Sequence, residues 1–117
     1  MAARSEIAIT ELVAYNAGLA VVADAVDLTN HHFLDVNSIP DGRVLITFHG
    51  STASMTATFK AGDFSDASLG DLVVTVGATA IVSIVVESSR FKDTDGYILI
   101  DVAGATADGT IEAVKLP

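Results

Sequence analysis

The sequence predicts an all-β, single-domain fold, a β-sandwich or barrel that is jelly-roll-like and built from about eight or nine short strands. Three observations carry this. β-branched runs recur at short spacing between turn clusters such as Asn37-Ser-Ile-Pro-Asp-Gly and Gly77-Ala-Thr. Ser54–Lys60 alternates with period two, Met55, Ala57 and Phe59 against Ser54, Thr56, Thr58 and Lys60. Neither proline falls inside an expected strand, since Pro40 sits in a turn and Pro117 comes last.

In chain order, Met1–Ser5 reads as a polar N-terminal arm with one arginine, and residues 6–117 as a single β-domain. Glu6–Tyr15 reads as a strand, although an amphipathic helix fits the same pattern; its Ile and Val content and the Asn16-Ala-Gly turn favour the strand. Leu19–Val26 is apolar and is either strand or helical turn. His31–Val36 and Arg43–His49 are strands on either side of the Asn37–Gly42 turn, followed by the alternating Ser54–Lys60. Ala61–Gly70 is a polar connection. Asp71–Val76, Ala80–Phe91 and Asp95–Val102 then read as three successive strands of a buried sheet, the expected centre of the fold, with no charged residue between Asp71 and Glu87. Gly109–Pro117 alternates again and closes the sheet.

Composition narrows the function classes. At 117 residues the chain buries roughly two-thirds of its unfolded surface. Half of it is hydrophobic, but it has no Trp and two Tyr, so aromatic platforms for sugars or bases are scarce. A net charge of −9 disfavours nucleic acid and anionic membrane surfaces, both of which recruit basic residues. With no cysteine there is neither disulfide nor thiolate chemistry. The first residues lack the apolar core of a secretory signal, and Leu72–Val86 falls short of the ~20 residues that span a bilayer. The expectation is a soluble protein made in the cytosol, with no nucleic-acid or membrane partner.

Chemical motifs are weak. Asp93-Thr-Asp-Gly-Tyr-Ile looks like the middle of a calcium loop, but with Gly96 sixth, Phe91 stands first and Val102 twelfth, where carboxylates are required. A tight turn with positive φ at Asp95-Gly96 is the favoured reading. His31 and His32 point to opposite faces of a strand, and His31 and Asp35 lie ~13 Å apart along it, so no metal site is expected without a distant ligand such as His49. No Gly-x-Ser-x-Gly elbow, Gly-x-Gly-x-x-Gly loop or Walker loop occurs. No catalytic residue, cofactor or enzymatic activity is therefore assigned. Glu87 and Arg90, after a very apolar strand, suit either an inter-subunit ion pair or a solvated strand end.

The second half resembles the small head decoration proteins of tailed bacteriophages, also labelled cement or minor capsid proteins. The likeness lies in Lys60-Ala-Gly-Asp, Leu69-Gly-Asp-Leu-Val-Val-Thr-Val, Glu87-Ser-Ser-Arg-Phe, Asp95-Gly-Tyr-Ile-Leu-Ile-Asp and Gly109-Thr-Ile-Glu-Ala-Val-Lys-Leu-Pro, with an opening Ile-Ala-Ile-Thr-Glu-Leu-Val of similar form. These are strand-and-turn signatures covering about half the chain. Phe64-Ser-Asp-Ala-Ser replaces a segment that contains proline in that group. The resemblance implies a non-enzymatic module on the outside of the capsid, bound to the major capsid protein shell, as a homotrimer at quasi-threefold positions. On that reading Arg4, Glu6, Phe64, Glu87, Arg90 and Phe91 are the expected subunit or capsid contacts. Two other readings stand beside it: a carbohydrate-binding β-sandwich for attachment, and another virion part such as a tail-tube, head-completion or fibre subunit.

Overall fold

The structure, a computed structural model, describes residues 4–12, 18, 20–37, 39–40, 43–106 and 108–116. Ten strands form two mixed five-stranded sheets packed as a sandwich. The chain runs β1 (Ser5–Glu6), β2 (Ile9–Glu11), β3 (Ala23–Ala25), β4 (His32–Asp35), β5 (Val44–His49) and β6 (Met55–Phe59). After a 3-10 turn (Ser65–Leu69) come β7 (Leu72–Val76), β8 (Ile81–Val85), the helical turn α1 (Ser88–Phe91), β9 (Tyr97–Gly104) and β10 (Thr110–Lys115).

One sheet has the order β1-β4-β9-β6-β7. The other has β2-β10-β5-β8, and β3 pairs with the first half of β10 while β2 pairs with its second half. Three antiparallel pairs are nested, β6 with β7, β5 with β8 and β4 with β9. Such nesting is a two-stranded ribbon folded back on itself so that successive segments alternate between sheets, the wrapping of a jelly roll.

Alternation along the strands makes the core. β6 buries Met55, Ala57 and Phe59, β5 buries Val44, Ile46 and Phe48, and β10 buries Ile111 and Ala113. Phe59 meets Phe48 edge-on at 6.1 Å between ring centres and Phe91 at 5.8 Å. Such aromatic contacts favour one packing over its neighbours.

The Asp71–Val102 stretch is not the centre that its uncharged composition suggests. Only β9 is central; β7 and β8 are edge strands, and of different sheets. Their run lacks charge, yet alternate side chains point outward, so composition marked strand without marking burial. Two further boundaries move. The strand expected to reach Phe91 ends at Val85, and α1 turns Phe91 into the core. Glu6–Tyr15 is not one strand, because after β1 the chain crosses between sheets at Ile7 and Ala8 and resumes as β2; residues 13–15 lie outside the described set.

The turn at Asp95-Gly96 is present, but only Gly96 takes positive φ, at 82°. Asp93 organises it by accepting from the amides of Asp95 and Tyr97, each at 2.9 Å.

Candidate functional site

The open flank of the sandwich is formed by β7 and β8 and by the corner that joins them. At that corner Gly50 N–H donates to Ala80 O at 2.7 Å and Thr79 N–H to Ser51 O at 2.9 Å, with Thr79 itself at φ 59°. A Cβ on Gly50 would lie 2.4 Å from Gly77 O, so the two backbones approach as closely as only glycine permits. The tight crossing is what brings an edge of each sheet to the same side.

Both edges lack the devices that usually blunt an edge strand. From Leu72 to Val86 there is no charge and no proline. Exposure is high at Val73 (60%), Ile81 (66%) and Val85 (46%), and at Leu69 (64%) just before β7. Charge returns at the margins. Asp71 is paired with Lys60 at 2.9 Å and accepts from the Ala61 amide, and the amide followed by the lysine holds its carboxyl below the usual range. Glu87 is exposed directly after the apolar run.

From β8 the neutral surface continues across the outer face of its sheet. Register places Val85, Leu45 and Val114 in one row, Ser83, Thr47 and Glu112 in the next, and Ile81, His49 and Thr110 in the third. Thr47 and Ser83 share a hydrogen bond at 2.9 Å, and His49 Nε2 contacts Glu112 at 3.0 Å. Three strands ~4.8 Å apart and rows ~6.8 Å apart make a grid of roughly 14 by 20 Å. The grid is partly apolar, and Glu112 beside His49 is its one acidic side chain, in a chain with 15 acids.

The six contacts expected from sequence fall in two separated groups. Arg4 and Glu6 lie at β1, the opposite edge of the first sheet from β7. Arg4 is committed to its own chain, with Asp101 at 2.7 Å and the carbonyls of His32 and Ile100 as acceptors, so it is no free arm. Ser5 likewise lies in β1, paired to β4; residues 1–3 are outside the described set. Glu6 is exposed and lines an open groove of about 370 Å³ with Glu11, Asp35 and Lys115, floored by Ile9 and Ile39. Lys115 pairs with Glu11 at 3.5 Å.

The second group surrounds α1, which packs on the 3-10 turn. Phe64 is half exposed and Glu87 is exposed, as a contact requires. Phe91 is corrected: it is 3% exposed and part of the core. Arg90 is half-buried, and its guanidinium donates to the carbonyls of Leu69, Gly70 and Asp71 and lies over the Phe91 ring at 4.8 Å. These bonds satisfy carbonyls at the end of the 3-10 turn, so Arg90 fastens the turn to α1.

The flank residues Val73, Ile81 and Val85 were missed. Their signal was available, because period-two spacing in an uncharged run separates them from Leu72, Val74, Val82 and Ile84, which pack on the core.

Among the described residues no group of three His, Asp or Glu side chains is placed to hold a metal ion. The histidines are dispersed: His32 is buried at the start of β4, while His49 is on the outer face of the other sheet. Phe33 and Tyr97 pack ring against ring at 4.7 Å between centres, tilted by 37°. Nor, among the described residues, is any helix long and apolar enough to cross a membrane. Comparison with family models, with curated proteins and with solved structures finds no match.

Proposed function

We propose that this chain is a non-enzymatic structural module of a tailed-phage virion that decorates the outside of the head shell and stabilises it, assembling there as a trimer. The observation that carries the reading is the uncharged flank of β7 and β8, two adjacent unpaired edges with Val73, Ile81 and Val85 exposed. An acidic protein of net charge −9 repels its own copies and polyanions over most of its surface. A neutral, β-branched flank is where close approach costs least. The sequence resemblance to head decoration proteins supplies the identity of the partner, the major capsid protein shell.

Magnitudes fit a cement role. A stable pairwise interface buries ~800 Å² on each partner. The outer grid covers roughly 300 Å² in plan. One such contact is weak, but copies linked in a trimer and repeated over a shell bind through effective concentration and stabilise the assembled state by mass action.

The test is co-sedimentation with expanded, undecorated capsids, followed by their resistance to heat or chaotrope. Binding with raised resistance is expected. Absence of binding to every capsid form refutes the proposal.

A further inference from the structure

His31 and His32 open β4, and both imidazoles act as acceptors of backbone hydrogen bonds. His32 Nε2 accepts from the Asp27 amide at 2.9 Å, and His31 Nδ1 from the Val102 amide at 3.1 Å. An imidazole nitrogen accepts only while it carries no proton. Both bonds therefore require these nitrogens to be unprotonated.

The loop held by those bonds carries the N-terminal strand. The Asp27 carboxylate accepts from the amides of Thr29 and Asn30, from Asn30 Nδ2 and from Ser5 Oγ at 2.8 Å. His31, at φ 64°, ends this turn and offers its carbonyl to the Ser5 amide at 2.9 Å. β1 is paired with β4 at two positions only, Ser5 with His32 and Glu6 with Phe33. Ser5 is thus hung from the same turn that the two rings brace.

His32 accommodates a charge poorly where it stands, although the Ser5 backbone favours one. It is fully buried, and its Nδ1, the nitrogen that carries the proton of the neutral ring, already lacks an acceptor. A second proton at Nε2 would face the Asp27 N–H, donor against donor. The charged groups around the ring are Asp24 and Asp27 from the preceding segment, His31 beside it, Arg4 from the residue before β1, and Asp101 of β9 behind Arg4. Burial, the largest influence, pushes the His32 ring below its usual 6.5 and outweighs the Ser5 backbone and the two aspartates, which favour the charged ring. Asp27 does not relieve it, since its oxygens are engaged and those bonds, the Asn30 amide first, hold its carboxyl down at about 2.

We propose that His32 is an acid-sensitive fastener: neutral, it holds, with the His31 bond beside it, the Asp27–His31 turn and strand β1 on the sheet, and protonated, it releases the turn and residues 4–6 while the sandwich stays folded. The sign follows from the lowered ring. The released state takes up the proton more readily than the fastened one, so fastening is complete above pH 6.5 and weakens as pH falls below it. One proton changes the opening equilibrium by about tenfold per pH unit at most. Opening stays local because it loses two paired residues and the Arg4 contacts with Asp101 and the His32 and Ile100 carbonyls, while the nested pairs of β4 to β9 are kept. Release uncovers the free edge of β4, a strand-accepting edge hidden at neutral pH.

Amide hydrogen exchange read by NMR, corrected for the intrinsic pH dependence of exchange, tests this between pH 7.5 and 5. Protection at Ser5 and Asp27 is expected to fall progressively below pH 6.5, by no more than about tenfold per unit, with Ala57 in β6 unchanged. The double variant His31→Asn, His32→Gln supplies amide oxygens near the two accepting nitrogens without titrating in this range, and Asn tolerates the positive φ at 31. Its protection at Ser5 and Asp27 is expected to stay flat. Should that variant not fold, imidazole ¹⁵N shifts of the unmodified chain report the same assignment, with His32 Nε2 unprotonated at pH 7.5. Flat protection in the unmodified chain, a parallel loss at Ala57, equal acid sensitivity in a folded variant, or a protonated Nε2 at pH 7.5 would overturn the proposal.

Discussion

Replacing Phe91 with alanine separates its role in the core from a role at a contact. The ring is buried beside Phe59 at 5.8 Å and beneath the Arg90 guanidinium at 4.8 Å. Truncation therefore removes a large core group and opens a cavity, at a cost of about 3–5 kcal/mol. With an unfolding entropy of ~2.1 cal/mol/K per residue, this chain has roughly 0.25 kcal/mol/K, so Tm falls by about 12–20 °C. A domain of this kind holds ~5–15 kcal/mol, so the variant is expected to be folded at 25 °C and measurable. Phe64→Ala is the control, half exposed in the structure and expected to lower Tm by about 4 °C or less. Both are read by thermal unfolding followed by circular dichroism, with a urea titration to check that the m-value is unchanged. A Phe91→Ala shift no larger than that of Phe64→Ala would refute the placement of Phe91 and with it the inward turn of α1.

Ile81→Asp places a charge on the neutral flank at a position 66% exposed, and is expected to change stability by less than about 0.5 kcal/mol while abolishing capsid co-sedimentation. Gly50→Ala forces the corner apart, since its Cβ meets Gly77 O and Ala80 N, and costs about 1–3 kcal/mol by chemical denaturation. Asp27, held at about 2 chiefly by the Asn30 amide, contributes stability that is full above its unfolded value of 3.8 and is lost as pH falls through 2. In the His31→Asn, His32→Gln background, where the turn stays fastened in acid, urea midpoints measured from pH 5 to 2 are therefore expected to fall less steeply once Asp27→Asn is added.

Fold class was legible because it rests on local pattern. Met55, Ala57 and Phe59 announce a half-buried strand by alternation, and the structure buries those three. Strand centrality was not legible, because it depends on pairing partners far along the chain. β7 and β8 are the most strand-like stretch and yet are edges, since β9 takes β4 and β6 as neighbours and β5 takes β8 and β10. Phe91 and Phe64 illustrate the same limit at the site. Both are aromatic residues in polar surroundings, and one helical turn at Ser88–Phe91, with no run long enough to show periodicity, sends the first inward. The histidine bonds were illegible for another reason: His31 leaves the extended conformation, so the rule of opposite faces describes His32 but not its neighbour.

The pairing of β2 with β10 has a mechanical consequence. The two strands run parallel, with Ile9 beside Ala113, Thr10 beside Val114 and Glu11 beside Lys115, and Leu12 N–H adds a bond to Lys115 O at 2.9 Å. Traction applied at Arg4 and Leu116 pulls these neighbours past one another lengthwise, so their hydrogen bonds share the load instead of yielding in sequence like a peeled seam. Ile7, fully buried at the crossing between the sheets, sits upstream as a stop. Single-molecule stretching between those points is expected to show one high-force rupture, and a gradual low-force extension would count against it. On the proposed role, a shell that swells under internal pressure would load its attached parts in tension, the direction of load that this strand arrangement resists.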